Sequence, residues 1–206
     1  MSVPVLMAIT IHEVAHGYMA DRLGDHTARL AGRLTLNPLR HLDLIGTAVF
    51  FLTRVIGWAK PVPINPRNLK NPRRDLLWIA VAGPAANLAL ALASAVLFHG
   101  LQFFQPFILG GSPAAARLLL PLTMMVKASV FINTALCIFN LIPVPPLDGS
   151  RILAGLLPPG PAMLMARIEP YGFIILMVLI FSNAINLVIV PAISFLVQAM
   201  IGMGFM

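Results

Sequence analysis

The chain has 206 residues, 59% of them apolar and 10% charged, with 14 Lys+Arg against 7 Asp+Glu for a formal net charge of +7 and a mean hydropathy of +0.89. Globular domains carry about a quarter charged residues, so this composition excludes a soluble domain, and its hydropathy excludes disorder. The bases lie between apolar runs rather than on one face of a soluble domain, which excludes a nucleic-acid footprint and fits the positive loops of a membrane protein.

Taken in chain order, Ser2 to Ala20 is apolar except for His12, Glu13 and His16. It lacks the basic n-region of a signal peptide and is read as a retained first span. Asp21 to Asp75 then holds ten of the fourteen bases, which assigns this face to the cytoplasm by the positive-inside rule. Within that stretch, Thr27 to Leu36 and Ala59 to Asn65 are predicted to be extended, the second because Pro61, Pro63 and Pro66 forbid a helix. Residues 44–56 are apolar but for Arg54. They are too short for a comfortable span and are predicted to re-enter or lie at the interface.

Leu76 to Phe98 carries no charge and forms a second predicted span; Ala128 to Leu147, extended upstream by Leu118 to Val126, forms a third. Residues 171–206 are free of charge over 36 positions, which as one helix would measure about 54 Å, so the tail must break, at Asn183, Asn186 or Pro191. The expectation is an all-α integral membrane protein, a polytopic bundle of four to six spans with a short membrane-associated extended or re-entrant segment. It forms one domain over 1–206, with a core at about 1–157 and the C-terminal span or spans at 165–206. Spans one and three then end on the same, cytoplasmic side. Trp58 and Trp78 flank the basic region as interface anchors. His26, His41 and His99 have no partner at ligand spacing and are read as surface or interfacial.

His12-Glu13-Val14-Ala15-His16 has the form HExxH. On a helix its two imidazoles stand one turn apart on one face and can reach one metal, with Glu13 beside them to take a proton from metal-activated water. A catalytic zinc needs a third protein ligand. Asp148 is the only carboxylate between Asp75 and Glu169, and it follows the third span directly. Its alternative role is to N-cap the segment from Arg151 to Leu157. Asn140 could donate to a substrate carbonyl, or make an interhelical hydrogen bond. Gly83-Pro84-Ala85-Ala86-Asn87 gives a small-residue packing face and a kink, with Asn87 either part of that packing or facing the site.

HEVAH at 12–16, GPAAN at 83–87 and NLIPVPPLDG at 140–149 stand in that order, with LAGRLTLNPLRHLD at 30–43 and GWAKPVPINPRNL at 57–69 between them. Together they resemble the site-2 protease family of intramembrane zinc metalloproteases, in its short prokaryotic form without a PDZ domain. The resemblance covers Ile9 to Arg151. It implies one zinc held by His12, His16 and Asp148, Glu13 as general base, and Asn140 and Asn87 near bound substrate. It further implies a compact helical core in the bilayer and cleavage of a transmembrane helix, or its remnant, in a membrane-protein substrate. The segments near 30 and 60 resemble the family's membrane-associated strands, which would pair with unwound substrate by strand addition. Two rival functions are a non-proteolytic zinc-binding membrane protein, which requires a closed four-ligand site, and a metal transporter, which requires several sites along the membrane normal and inverted repeats.

Overall fold

The computed structural model describes residues 2–43, 59–109 and 113–202, together with Gly46, Ala48 and Leu52. The predicted re-entrant segment at 44–56 and Trp58 otherwise lie outside the described residues. The elements are helices: α1 (Ser2–Arg22), the single turn α2 (Thr27–Leu30), α3 (Pro72–Leu109), α4 (Pro113–Asn140), α5 (Asp148–Leu156), α6 (Pro159–Ile168), α7 (Gly172–Phe181) and α8 (Ala184–Ile201). Three stretches are long and apolar enough to cross a membrane, Pro72–Pro106, Leu119–Asn140 and Pro159–Phe181, and Leu187–Ile201 is a shorter apolar helix. This is a membrane protein.

α3 is the central element and packs on α1, α4 and α5. At about 1.5 Å per residue it is far longer than a hydrocarbon core of about 30 Å, so one end must project or the helix must tilt. Its outer half joins the main apolar cluster, where Ala95 and Phe98 meet Val126 and Val130 of α4 and Ile189, Ile193 and Val197 of α8. Its inner half touches the end of α1 through Ile79, Ala20 and Leu69. Gly155 of α5 sits where a Cβ would come within 2.7 Å of Leu77, so α5 lies directly on α3. The opposite faces of α3, α7 and α8 expose Leu92, Val96, Phe173, Ile174, Leu187 and Val188, as a lipid-facing surface requires.

The C-terminal tail breaks at Ser182 and Asn183. Asn183 has φ +61°, a left-handed conformation that asparagine tolerates better than most residues, and Ser182 donates back to the Leu179 carbonyl at 3.2 Å. Asn186 and Pro191 lie inside α8.

The extended segments expected in the basic region are corrected in part. No strand occurs among the described residues; Leu42 and Ala59 make a lone antiparallel bridge, beside which Lys60 N–H donates to His41 O at 2.9 Å. Thr27–Leu30 is helical because Asp25 accepts the Thr27 amide at 3.1 Å and its hydroxyl, which fixes the chain at the start of the turn. His41 is buried rather than superficial, with Nε2 2.9 Å from the Thr35 carbonyl.

Asp25 does more than start α2. It is fully buried and also accepts from the Asn65 amide at 2.6 Å and Asn68 Nδ2 at 2.8 Å, so one carboxylate ties residues 25–27 to 65–68. Gly17 then lets both neighbouring segments reach α1, since a Cβ there would stand 2.7 Å from Leu34 and 2.9 Å from Val62. Burial by itself raises the Asp25 pKa, but the hydrogen bonds from Thr27, Asn65 and Asn68 outweigh it and hold the carboxyl below its ordinary value. A depressed folded pKa stabilises above the unfolded value near 4, and that contribution is lost as pH falls through the folded one. Asp25→Ala leaves buried donors unmet and should cost about 2 kcal/mol or more. Thermal unfolding in detergent should show a lower midpoint than wild type at pH 7 and a gap that narrows on acidification.

Candidate metal centre

His12 and His16 point the same way from α1, with their Nε2 atoms 3.0 Å apart, and Asp148 Oδ2 lies 3.2 Å from each. The third group arrives from far along the chain. α4 ends at Asn140, and the proline-rich loop folds back over its end through Val144 N–H to Ile142 O and Leu147 N–H to Val144 O. Asp148 then opens α5. The cap position is Leu147, with no side-chain capping bond, so the alternative role of Asp148 as an N-cap falls away. Gly149 is required by the fold of this loop, because a Cβ would collide with the carbonyls of Leu141 and Ile142.

α3 orients the two imidazoles. His12 Nδ1 lies 2.6 Å from Asn87 Oδ1, and His16 Nδ1 lies 2.7 Å from the Ile79 carbonyl. A carbonyl only accepts, so His16 carries its proton on Nδ1. Asn87 Nδ2 donates to Ala8 O at 3.1 Å and Asn133 Oδ1 at 2.9 Å, which leaves Oδ1 for His12 and puts that proton on Nδ1 as well. In the neutral form both Nε2 atoms therefore present lone pairs. Gly83, between these two contacts, makes the approach of the helices possible: a Cβ there would stand 2.6 Å from His12 Cε1 and strike the His16 ring.

Asn133 was not singled out by its sequence context. It is fully buried on α4 and spends its own amide on Ser129, at 2.8 Å to the carbonyl and 3.2 Å to the hydroxyl, while Ser129 meets Ser94 of α3 at 2.8 Å. The signal that could have found it is an amide inside a charge-free run, which at membrane depth needs a partner. Asn140 makes its described bond within α4, Nδ2 to the Leu136 carbonyl at 3.0 Å. Glu13 leans to the other side of the site, where its Oε2 accepts the Val62 amide at 2.9 Å.

Two imidazole lone pairs and a carboxylate oxygen held together repel one another, and Asp148 Oδ2 is buried without a hydrogen-bond partner. That orphaned atom is what a cation would satisfy. The donor set, two nitrogens and one oxygen within 4.8 Å of one another, suits zinc with one position left open. No further His, Cys, Asp or Glu joins the cluster among the described residues.

An HExxH helix completed by a distant aspartate inside a membrane protein defines a zinc metalloprotease. The family model of peptidase family M50, the site-2 protease family, matches residues 1–183, and the chain belongs to this family. It is 38% identical to YwhC of Bacillus subtilis, over 93% of this chain and 84% of that protein. It is 31% identical to Rip2 of Mycolicibacterium smegmatis, over 88% of this chain and 66% of that protein, and 29% identical to Rip2 of Mycobacterium tuberculosis, over the same shares. The names of all three carry the words zinc metalloprotease. No solved structure matches the chain significantly. The protein is a zinc-dependent protease.

Elemental analysis of the purified protein should find about one zinc per chain. In Asn87→Leu, which removes the acceptor that fixes the His12 tautomer, zinc affinity should fall about 10- to 100-fold, the usual cost of losing such an orienting group. Gly83→Ala should lower zinc content too, by steric displacement of the two rings, and chelator competition measures both.

Proposed function

We propose that the protein is an intramembrane endopeptidase that hydrolyses a peptide bond in or near a transmembrane helix of a membrane-protein substrate. The observation that carries this reading is the meeting of His12, His16 and Asp148 on one side of a bundle whose neighbouring helices are apolar enough to span a bilayer. His12, His16 and Asp148 would hold the metal. Bound zinc supplies an acidified water and a Lewis acid for the scissile carbonyl.

Glu13 is the general base. It sits next to His12 on α1, and its carboxylate is anchored by the Val62 amide, so its rotamer is fixed before substrate arrives. It takes a proton from water at the site and returns one to the leaving amine. Asn87 acts through His12, which it holds in the ligating tautomer. Asn140 lies at the cytoplasmic end of α4, where an amide can meet a substrate carbonyl once its bond to Leu136 opens.

The topology that accompanies this reading has four to six spans and a single domain over 1–206, with the core at about 1–157. The basic segments that flank the site place it toward the cytoplasm, from which water enters. α1 spans with its polar groups turned to α3, and the α6–α7 run and α8 complete the C-terminal part. A structural zinc site would need a fourth ligand, and a transporter would need further sites; the described residues supply neither.

Glu13→Gln keeps the shape of the side chain and removes its basicity. The variant should retain zinc and lose cleavage of a reconstituted transmembrane substrate by at least about 100-fold. Retained cleavage, or zinc uptake into proteoliposomes that depends on His16, would overturn the assignment.

A further inference from the structure

A cavity of about 410 Å³ lies between the start of α3, α5 and α6. Arg73, Arg151 and Glu169 line it alongside Leu76, Ala154 and Met165. A second, more open hollow shares Arg73 and Gly155 with it and adds Arg74. None of these three guanidinium groups, nor Glu169, has an ion-pair partner among the described residues. The volume falls in the range of small-molecule sites.

Its position limits what can fill it. Arg73 and Arg74 lie at the first turn of α3, separated from the charge-free run that starts at Leu76 only by Asp75, which is buried and accepts the Asn71 amide at 2.9 Å, and Trp78 stands half exposed one turn further on. Guanidinium groups therefore meet an apolar wall at the depth where a span enters the bilayer. A free anion satisfies the arginines but leaves Leu76, Ala154 and Met165 facing water. A neutral lipid does the reverse.

We propose that this cavity seats the headgroup of an anionic phospholipid from the cytoplasmic leaflet, with the phosphate on Arg73 and Arg151 and an acyl chain along Leu76, Ala154 and Met165. Basic pockets between helices on that side are sites of this kind. Glu169 gives the pocket a preference, since it repels a second negative charge and accepts from a hydroxyl, which favours a singly charged, hydroxylated headgroup such as phosphatidylglycerol. The lipid would touch α5 three residues from Asp148. The proposal rests on the cytoplasmic assignment made for the active site.

The test uses delipidated protein in detergent, titrated with phosphatidylglycerol, the more highly charged phosphatidic acid, phosphatidylcholine or inorganic phosphate, with bound lipid read by native mass spectrometry and zinc content measured in parallel. Wild type should retain one phosphatidylglycerol per chain in preference to phosphatidylcholine. Arg73→Gln with Arg151→Gln should weaken retention roughly tenfold or more, the scale expected for two bases near an anionic headgroup, with zinc content unchanged. Glu169→Gln should abolish the preference for phosphatidylglycerol over a more highly charged lipid. Equal retention of phosphatidylcholine, displacement of lipid by millimolar inorganic phosphate, or a double variant that holds phosphatidylglycerol as wild type does would each overturn the proposal. Zinc loss in His12→Ala and loss of cleavage in Glu13→Gln are read separately, so failure of the protease assignment is distinguishable from failure of the lipid site.

Discussion

Two imidazole nitrogens 3.0 Å apart, each 3.2 Å from one carboxylate oxygen, cannot be held at membrane depth by their own attraction. With both rings neutral, all three atoms carry lone pairs, and the surroundings are too apolar to screen them. The remainder of the bundle supplies the force that keeps them together. α3 does so from one side, with the Ile79 carbonyl and Asn87 one turn either side of a glycine. The loop after α4 does so from another, through turns that leave Asp148 in place only because residue 149 has no side chain. His12, His16 and Asp148 would hold a zinc ion through these lone pairs, and its binding would draw on the packing of helices many residues apart.

Much of this centre could be read before any coordinates. HExxH carries its meaning in its spacing, because i and i+4 share a helix face wherever the helix lies. Asp148 followed from scarcity, as the only carboxylate in a long apolar stretch. The span positions followed from charge: α3 contains the whole expected run from Leu76 to Phe98, whereas α4 stops at Asn140, seven residues short of the run that was expected to reach Leu147. An amide in a charge-free run marks Asn133 as needing a partner but does not say which; its role exists only through contact with Asn87 across two helices. The same holds for His41, whose burial depends on segments that meet it from elsewhere. The turn at Thr27–Leu30 departs from the extended expectation where the buried Asp25 carboxylate accepts the Thr27 amide two residues on, a local turn contact that overrides weak propensity. In the tail, Pro191 was weighed with Asn183 as a break. Asn183 prevailed because a left-handed residue reverses the chain, whereas a proline within a helix need only bend it.

The polar ladder from His12 through Asn87, Asn133 and Ser129 to Ser94 shows how a bundle accommodates amides in an apolar interior. Each member is buried or nearly so, and each spends its donors on a neighbour. Within lipid such contacts contribute modestly one by one, yet together they determine which atom faces the histidine. The tautomer of a metal ligand is thus set by residues on two other helices, and an amide flip at Asn87 would bring a donor where His12 Nδ1 also donates. The Ala8 carbonyl and Asn133 both oppose that flip.

The segment at 59–65 holds the Glu13 carboxylate through the Val62 amide. Strand addition needs a row of free backbone donors and acceptors. Here Pro61 and Pro63 have no N–H, Lys60 N–H goes to His41, Val62 N–H to Glu13 and Asn65 N–H to Asp25, while the Lys60 carbonyl takes Arg33 at 2.6 Å. The backbone donors of this stretch are thus largely committed within the protein. What the segment delivers instead is a fixed position for Glu13, secured at one end by Arg33 and His41 and at the other by the Asp25 carboxylate. Gly17, one residue past the second histidine, is the gap through which it reaches α1. The proline spacing that forbids a helix here also leaves the chain stiff and extended, and this presents the Val62 amide to Glu13.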